Sequence, residues 1–98
     1  MNPFAPVLLK ANLGFYDSVL PEGLQAELDS LVETAEERLQ KRCGIRLDPN
    51  SQSDAQLISS YAAHLYRSKV TGAPVHQGLR EDIKNRQMQQ ALAEGETL

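Results

Sequence analysis

Cysteine, aromatic residues and long apolar runs are all scarce in this chain. Cys43 is the single cysteine among 98 residues, which excludes a disulfide within one chain and any cysteine-rich zinc motif. There is no tryptophan, and the aromatics are Phe4, Phe15, Tyr16, Tyr61 and Tyr66, so a core must rest on Leu, Ile, Val and Ala. No apolar run approaches the roughly 18 residues of a membrane-spanning helix. Residues 1–9 lack the basic stretch and long apolar run of a secretory signal, so a reducing cytoplasm is the expected address. No Lys/Arg run offers a phosphate-neutralising surface, and the net charge is −3, so the electrostatic footprint of a DNA binder is missing. The glycines are isolated rather than gathered into a phosphate-cradling loop.

What is present is strong helical patterning. The length predicts one domain spanning 1–98, burying roughly 60–65% of the surface its unfolded chain exposes. Gly14, Pro21/Gly23, Gly44, Pro49, Gly72/Pro74 and Gly78 divide the chain into four segments. The first, about Pro6 to Asn12, reads as a short helix ending near Gly14, which suits a C′ position of positive φ. The second, about Pro21 to Arg42, carries Leu24, Leu28, Leu31, Val32, Ala35 and Leu39 on one helical face. Pro21 suits its first helical position. Its early acids and late bases complement the helix dipole, and Gly44 followed by Ile45 closes it.

The third helix is placed to begin at Ser53, paired with Gln56 as a capping box, and to stop near Val70. Ala55, Leu57, Ile58, Tyr61, Ala62, Leu65 and Tyr66 form its stripe, with small residues at 55, 62 and 63 allowing close helix approach. The fourth starts between Pro74 and Leu79. Leu79 and Ile83 mark its inner face, but the positions continuing the stripe hold Arg86, Gln87 and Gln90, while Met88 and Leu92 lie elsewhere on the wheel. Residues 88–98 are therefore expected to be flexible or held by a partner. The fold class is all-α: two longer antiparallel helices, a short N-terminal helix and a C-terminal helix packed across them.

Candidate chemistry is thin. Cys43 and His64 are the residue types of a nucleophile and base, but a helix C-terminus raises a thiol pKa and nothing supplies an orienting third group. His64 and His76 lack metal-ligand spacing with Asp or Glu, and His64 reads as a half-buried helix residue. Glu33, Glu36 and Glu37 fall on the polar side of the second helix, where acid runs are ordinarily a solvated face. That acidic face also argues against a membrane-surface helix, which favours Lys/Arg. No catalytic, cofactor or metal site is expected.

Three stretches carry a family likeness. Leu9-Lys10-Ala11-Asn12-Leu13-Gly14-Phe15-Tyr16-Asp17 resembles the opening "LK-x-x-LG-hydrophobic-x-D" segment of the short helical head–tail connector (adaptor, or head-completion) proteins of tailed bacteriophages and prophages. The helix ending Leu39 to Leu47, LQKRCGIRL, is similar to that family's long second helix closing on Gly-Ile-x-Leu. Tyr61-Ala62-Ala63-His64-Leu65-Tyr66-Arg67 resembles its "YAA-x-LYR" segment, and Thr71-Gly72, Pro74, Leu79-Arg80 and Asn85-Arg86 are similar to the loop and last helix that follow. The likeness covers residues 8–87. The last helix departs from it, with Asp82, Lys84 and the glutamines where a more apolar sequence is expected.

The resemblance implies a structural virion protein, not an enzyme. It implies a homo-oligomeric ring of about twelve copies beneath the portal protein, linking the DNA-filled head to the next head-completion or tail protein. The address implied is the head–tail interface of the virion, and host cytoplasm during assembly. Packaged DNA would pass through the channel without sequence-specific binding. Two sets of residues follow as expectations: Leu79, Arg80, Ile83, Asn85, Arg86 and Met88 meeting the portal or a neighbouring subunit, and Glu33, Glu36 and Glu37 facing the channel. The alternative from pattern alone is a small dimeric helical regulatory or interaction module unrelated to phage.

Overall fold

The computed structural model describes residues 2–15, 21–71 and 77–95. Tyr16, Asp17, Gly72, Pro74 and His76, which entered the sequence argument, lie outside them. The described residues form four helices and no strand: α1 (Ala5–Asn12), α2 (Glu22–Lys41), α3 (Gln52–Thr71) and α4 (Gln77–Gly95). This is the expected all-α bundle, but with three long helices rather than two: α4 has 19 residues against 20 in each of α2 and α3.

The helix ends follow local chemistry. α1 closes on Gly14, whose φ is +84°. The Phe15 N–H donates to Lys10 O at 2.8 Å and the Gly14 N–H to Ala11 O at 3.1 Å, the paired bonds of a Schellman cap. Arg67 of α3 adds an Nη2 donor to Asn12 O at 3.2 Å, serving another carbonyl that the helix itself leaves open. Pro21 stands just outside α2 rather than at its first position. Its ψ of 144° is extended, and its carbonyl accepts from Gln25 N at 3.0 Å. α2 ends through Gly44 (φ +66°), after which Ile45 turns inward and is buried, its N–H donating to Leu39 O at 3.0 Å.

The cap of α3 corrects the sequence reading. The helix begins at Gln52, and Ser51, not Ser53, is its N-cap: Ser51 Oγ accepts the Asp54 N–H at 3.2 Å. Ser51 and Ser53 both fit the spacing rule; only Ser51 follows the Asp48–Asn50 turn, where its own N–H donates to Asp48 O at 3.1 Å.

The core lies where α1, α2 and α3 meet. Leu9, Leu28, Val32, Ala35, Leu39, Ile45 and Ile58 are fully or almost fully buried, and Ala55, Ala62 and Ala63 are buried at the close contacts of α3. Leu79 brings the start of α4 into this core, and Ile83 packs partly against it. Beyond that point α4 is different. Among the described residues it contacts α3 and no other helix, so it does not lie across both α2 and α3 as expected. The radius of gyration, 14.1 Å, exceeds the roughly 12.6 Å of a compact chain of this length, and the molecule measures 51 × 28 × 19 Å. No described helix is long and apolar enough to cross a membrane.

Candidate interaction surfaces

The α2–α3 connector, residues 42–51, is the polar centre of the molecule. A helix C-terminus leaves carbonyls without intrahelical donors, and the connector adds more. α4 supplies the missing donors. Arg86 Nε donates to Asp54 Oδ1 at 2.7 Å, and its Nη2 donates to Asp54 Oδ2 at 3.2 Å and to Arg46 O at 2.8 Å. Gln87 Nε2 donates to Cys43 O at 2.8 Å. The Gln90 amide spans the connector backbone, donating to Gly44 O at 2.7 Å and accepting the Arg46 N–H at 2.6 Å. These are the residues at which the apolar stripe of α4 stops. The inward face does not end at Ile83; it changes from apolar packing to polar grip.

Asp54 is the hinge of this clasp. Its side chain is only 4% exposed, against 21% for Arg86. It accepts the Asp48 N–H at 2.8 Å besides the two Arg86 bonds. Burial pushes its pKa up, but the Arg86 hydrogen bonds, the Asp48 N–H and the Arg86 charge outweigh burial and hold the carboxyl below its ordinary value. The Asp54 hydrogen bond raises the Arg86 pKa, so the guanidinium stays charged. From the other side Asn2, itself buried, ties the N-terminus to the same connector. Its Nδ2 donates to Ser51 O at 2.8 Å and Asp48 O at 3.3 Å, while its Oδ1 accepts the Phe4 N–H at 2.9 Å.

The residues expected to meet a partner divide into two groups. Leu79 is wholly buried and Arg86 is held in the ion pair, so both are engaged within the chain; Ile83 is half-buried. Arg80, Asn85 and Met88 are at the surface. The helix continues through residues 88–95, and Met88 (62% exposed) and Leu92 (69%) stand on its outward side, one turn apart. Among the described residues, Phe4 and Val7 at the start of α1 are the other large apolar side chains left exposed. Of the three acids on α2, Glu33 and Glu37 are exposed, Glu37 in an i,i+4 pair with Lys41 at 3.2 Å. Glu36 sits lower, and its Oε1 accepts the Asn2 backbone N–H at 3.3 Å.

Among the described residues, the Cys43 and His64 side chains have the following surroundings. Burial raises the Cys43 thiol pKa, with Arg42 opposing it weakly, so the direction anticipated from the helix end holds but burial is its cause. His64 is half-buried, its ring edge-on to Tyr61 at 6.3 Å between centroids. Among the described residues no three His, Cys, Asp or Glu side chains cluster for a metal. An open groove of about 250 Å³ between α3 and α4 has the Asp54–Arg86 pair as its floor and Ser53, Gln56, Asp82 and Asn85 on its walls. It is smaller than the roughly 300–1,000 Å³ typical of small-molecule sites, whereas an open groove of about 530 Å³ along α4, lined by Gln77, Arg80, Glu81, Ile83 and Lys84, falls within that range. Comparison with known proteins finds no matching family model, no matching curated protein and no matching solved structure.

Proposed function

We propose that the chain is a head–tail connector of a tailed phage or prophage, a structural subunit that forms a ring under the portal and joins the DNA-filled head to the tail. The observation that carries this reading is the ordered run of segments over residues 8–87: the Leu-Gly turn after the first helix, the long second helix closing on Gly-Ile-x-Leu, and the Tyr-Ala-Ala-x-Leu-Tyr-Arg segment of the third. The physical character of the molecule supports it. The described residues bring no catalytic constellation together, and an outlying helix turns apolar side chains to solvent. Such a protein acts through surfaces, by binding and symmetry matching.

In this reading the ring extends the portal channel. Glu33 and Glu37, exposed on one face of α2, are suited either to a channel wall that repels DNA, because like charges repel, or to a cationic face of the neighbouring subunit. Glu36, tied to Asn2, contributes less to that wall. Arg80, Asn85 and Met88 are the surface residues suited to the portal or a neighbouring subunit. The test is cosedimentation with purified portal rings of the phage or prophage that encodes the chain. Saturation at one copy per portal subunit supports the reading. A stable dimer that ignores the portal would favour a regulatory module instead.

A further inference from the structure

We infer that the outward face of α4 seats on the outward face of α2 of a second copy of this chain. The first observation is an inversion along α4. In its first half Leu79 and Ile83 face the core while Arg80 and Lys84 are exposed; in its second half Arg86, Gln87 and Gln90 face the body while Met88, Ala91 and Leu92 are exposed. The outward stripe therefore runs Arg80, Lys84, Met88, Ala91, Leu92: two cations and then an apolar patch, at helical spacing.

α2 carries the complement in reverse order. Its exposed stripe runs Ala26, Ser30, Glu33, Glu37: two small residues and then two acids. Laid antiparallel, Arg80 falls opposite Glu37 and Lys84 opposite Glu33. Met88, Ala91 and Leu92 then lie over Ser30 and Ala26, where short side chains leave room for long ones. The lengths agree. From Arg80 to Leu92 is about 18 Å along the axis and from Glu37 to Ala26 about 16 Å, at 1.5 Å per residue.

One copy does not make this contact with itself, because α2 and α4 do not pack together. Glu37 does pair with Lys41, but that exposed pair is weak and exchangeable. A contact of one face with a different face on the next copy is heterologous, and its repetition gives a ring or a filament rather than a two-fold dimer. A single helix pair buries less than the about 1,200–2,000 Å² of a stable interface, so isolated pairs are weak and closure stabilises the assembly. The inference deepens the ring reading and rests on it for the closed geometry; the pairing itself requires no portal.

The experiment is sedimentation velocity of the full chain and two surface variants. M88D/L92D spoils the α4 face, and A26E/S30E spoils the α2 face; all four positions are exposed, and unchanged circular dichroism and melting confirm folding. Wild type is expected to associate beyond a dimer as concentration rises, and less so in high salt. Each variant alone is expected to associate at least tenfold more weakly. Mixed, the two are expected to form a 1:1 pair that grows no further, since each retains the face the other lacks. Wild type that stays monomeric, stops at a symmetric dimer, or associates equally well in both variants would overturn the inference. Self-association with no portal binding would count against the connector reading alone, and portal binding by a wild type that never self-associates would count against this inference alone.

Discussion

Removing the Arg86 guanidinium should unlatch α4 while leaving the three-helix core folded. Arg86→Met keeps much of the side-chain length and loses three hydrogen bonds, at 2.7, 2.8 and 3.2 Å. At an effective dielectric of about 20, unit charges about 3 Å apart attract by roughly 5 kcal/mol before desolvation is counted. Breaking a fully buried pair by deleting one partner costs about 3–5 kcal/mol, and an exposed pair is worth about 0–1. With Asp54 4% and Arg86 21% exposed, this pair lies nearer the buried limit, and the expected loss is about 2–3 kcal/mol. For a domain of this size that lowers the melting midpoint by roughly 10–20 °C if α4 unfolds with the rest. If α4 opens by itself, the loss appears as hydrogen exchange along 79–93 while amides near Ile58 and Ala62 stay protected. A double-mutant cycle with Asp54→Ala and Arg86→Met apportions the pair and should give a coupling of at least about 1 kcal/mol. A coupling near zero, with exchange along α4 unchanged, would refute the account of the clasp.

Other consequences are simpler to read. The Asp54 carboxyl titrates below its ordinary value, so its contribution is complete above about pH 4 and is lost as pH falls through the depressed pKa. Urea melts of wild type should weaken on that acid limb, and Asp54→Asn should flatten it. Asn2→Ala removes donors to Ser51 O and Asp48 O and should cost about 1–3 kcal/mol by denaturant melting. Gly44→Ala meets no neighbouring atom, so its cost comes from φ +66° alone, about 1–2 kcal/mol. Cys43, its thiol pKa raised by burial, should react with iodoacetamide at pH 7 more slowly than free cysteine and quicken as pH rises.

The long helices were legible because Leu28, Val32, Ala35 and Leu39 on α2, and Ala55, Ile58 and Ala62 on α3, follow one period and are buried as that period requires. Gly14 and Gly44 were legible because positive φ leaves few alternatives to glycine. The α3 cap was misread because two serines fit the same spacing, and the choice between them depends on the preceding turn. The clasp was missed for a deeper reason. Apolar periodicity finds surfaces that exclude water, whereas Arg86, Gln87 and Gln90 grip carbonyls that only the folded connector presents. The signal was still in the sequence: with Leu79 and Ile83 these three complete one helix face at steps of four, three, one and three. A stripe that changes from apolar to amide and guanidinium without leaving its face marks a helix docked on backbone.

Native mass spectrometry of the purified chain across a concentration series tests the central claim, a subunit that assembles head to tail, most directly. The account predicts species growing one copy at a time toward a closed ring of about a dozen, with no preference for even numbers. A dimer that persists at every concentration, with nothing larger, would contradict it.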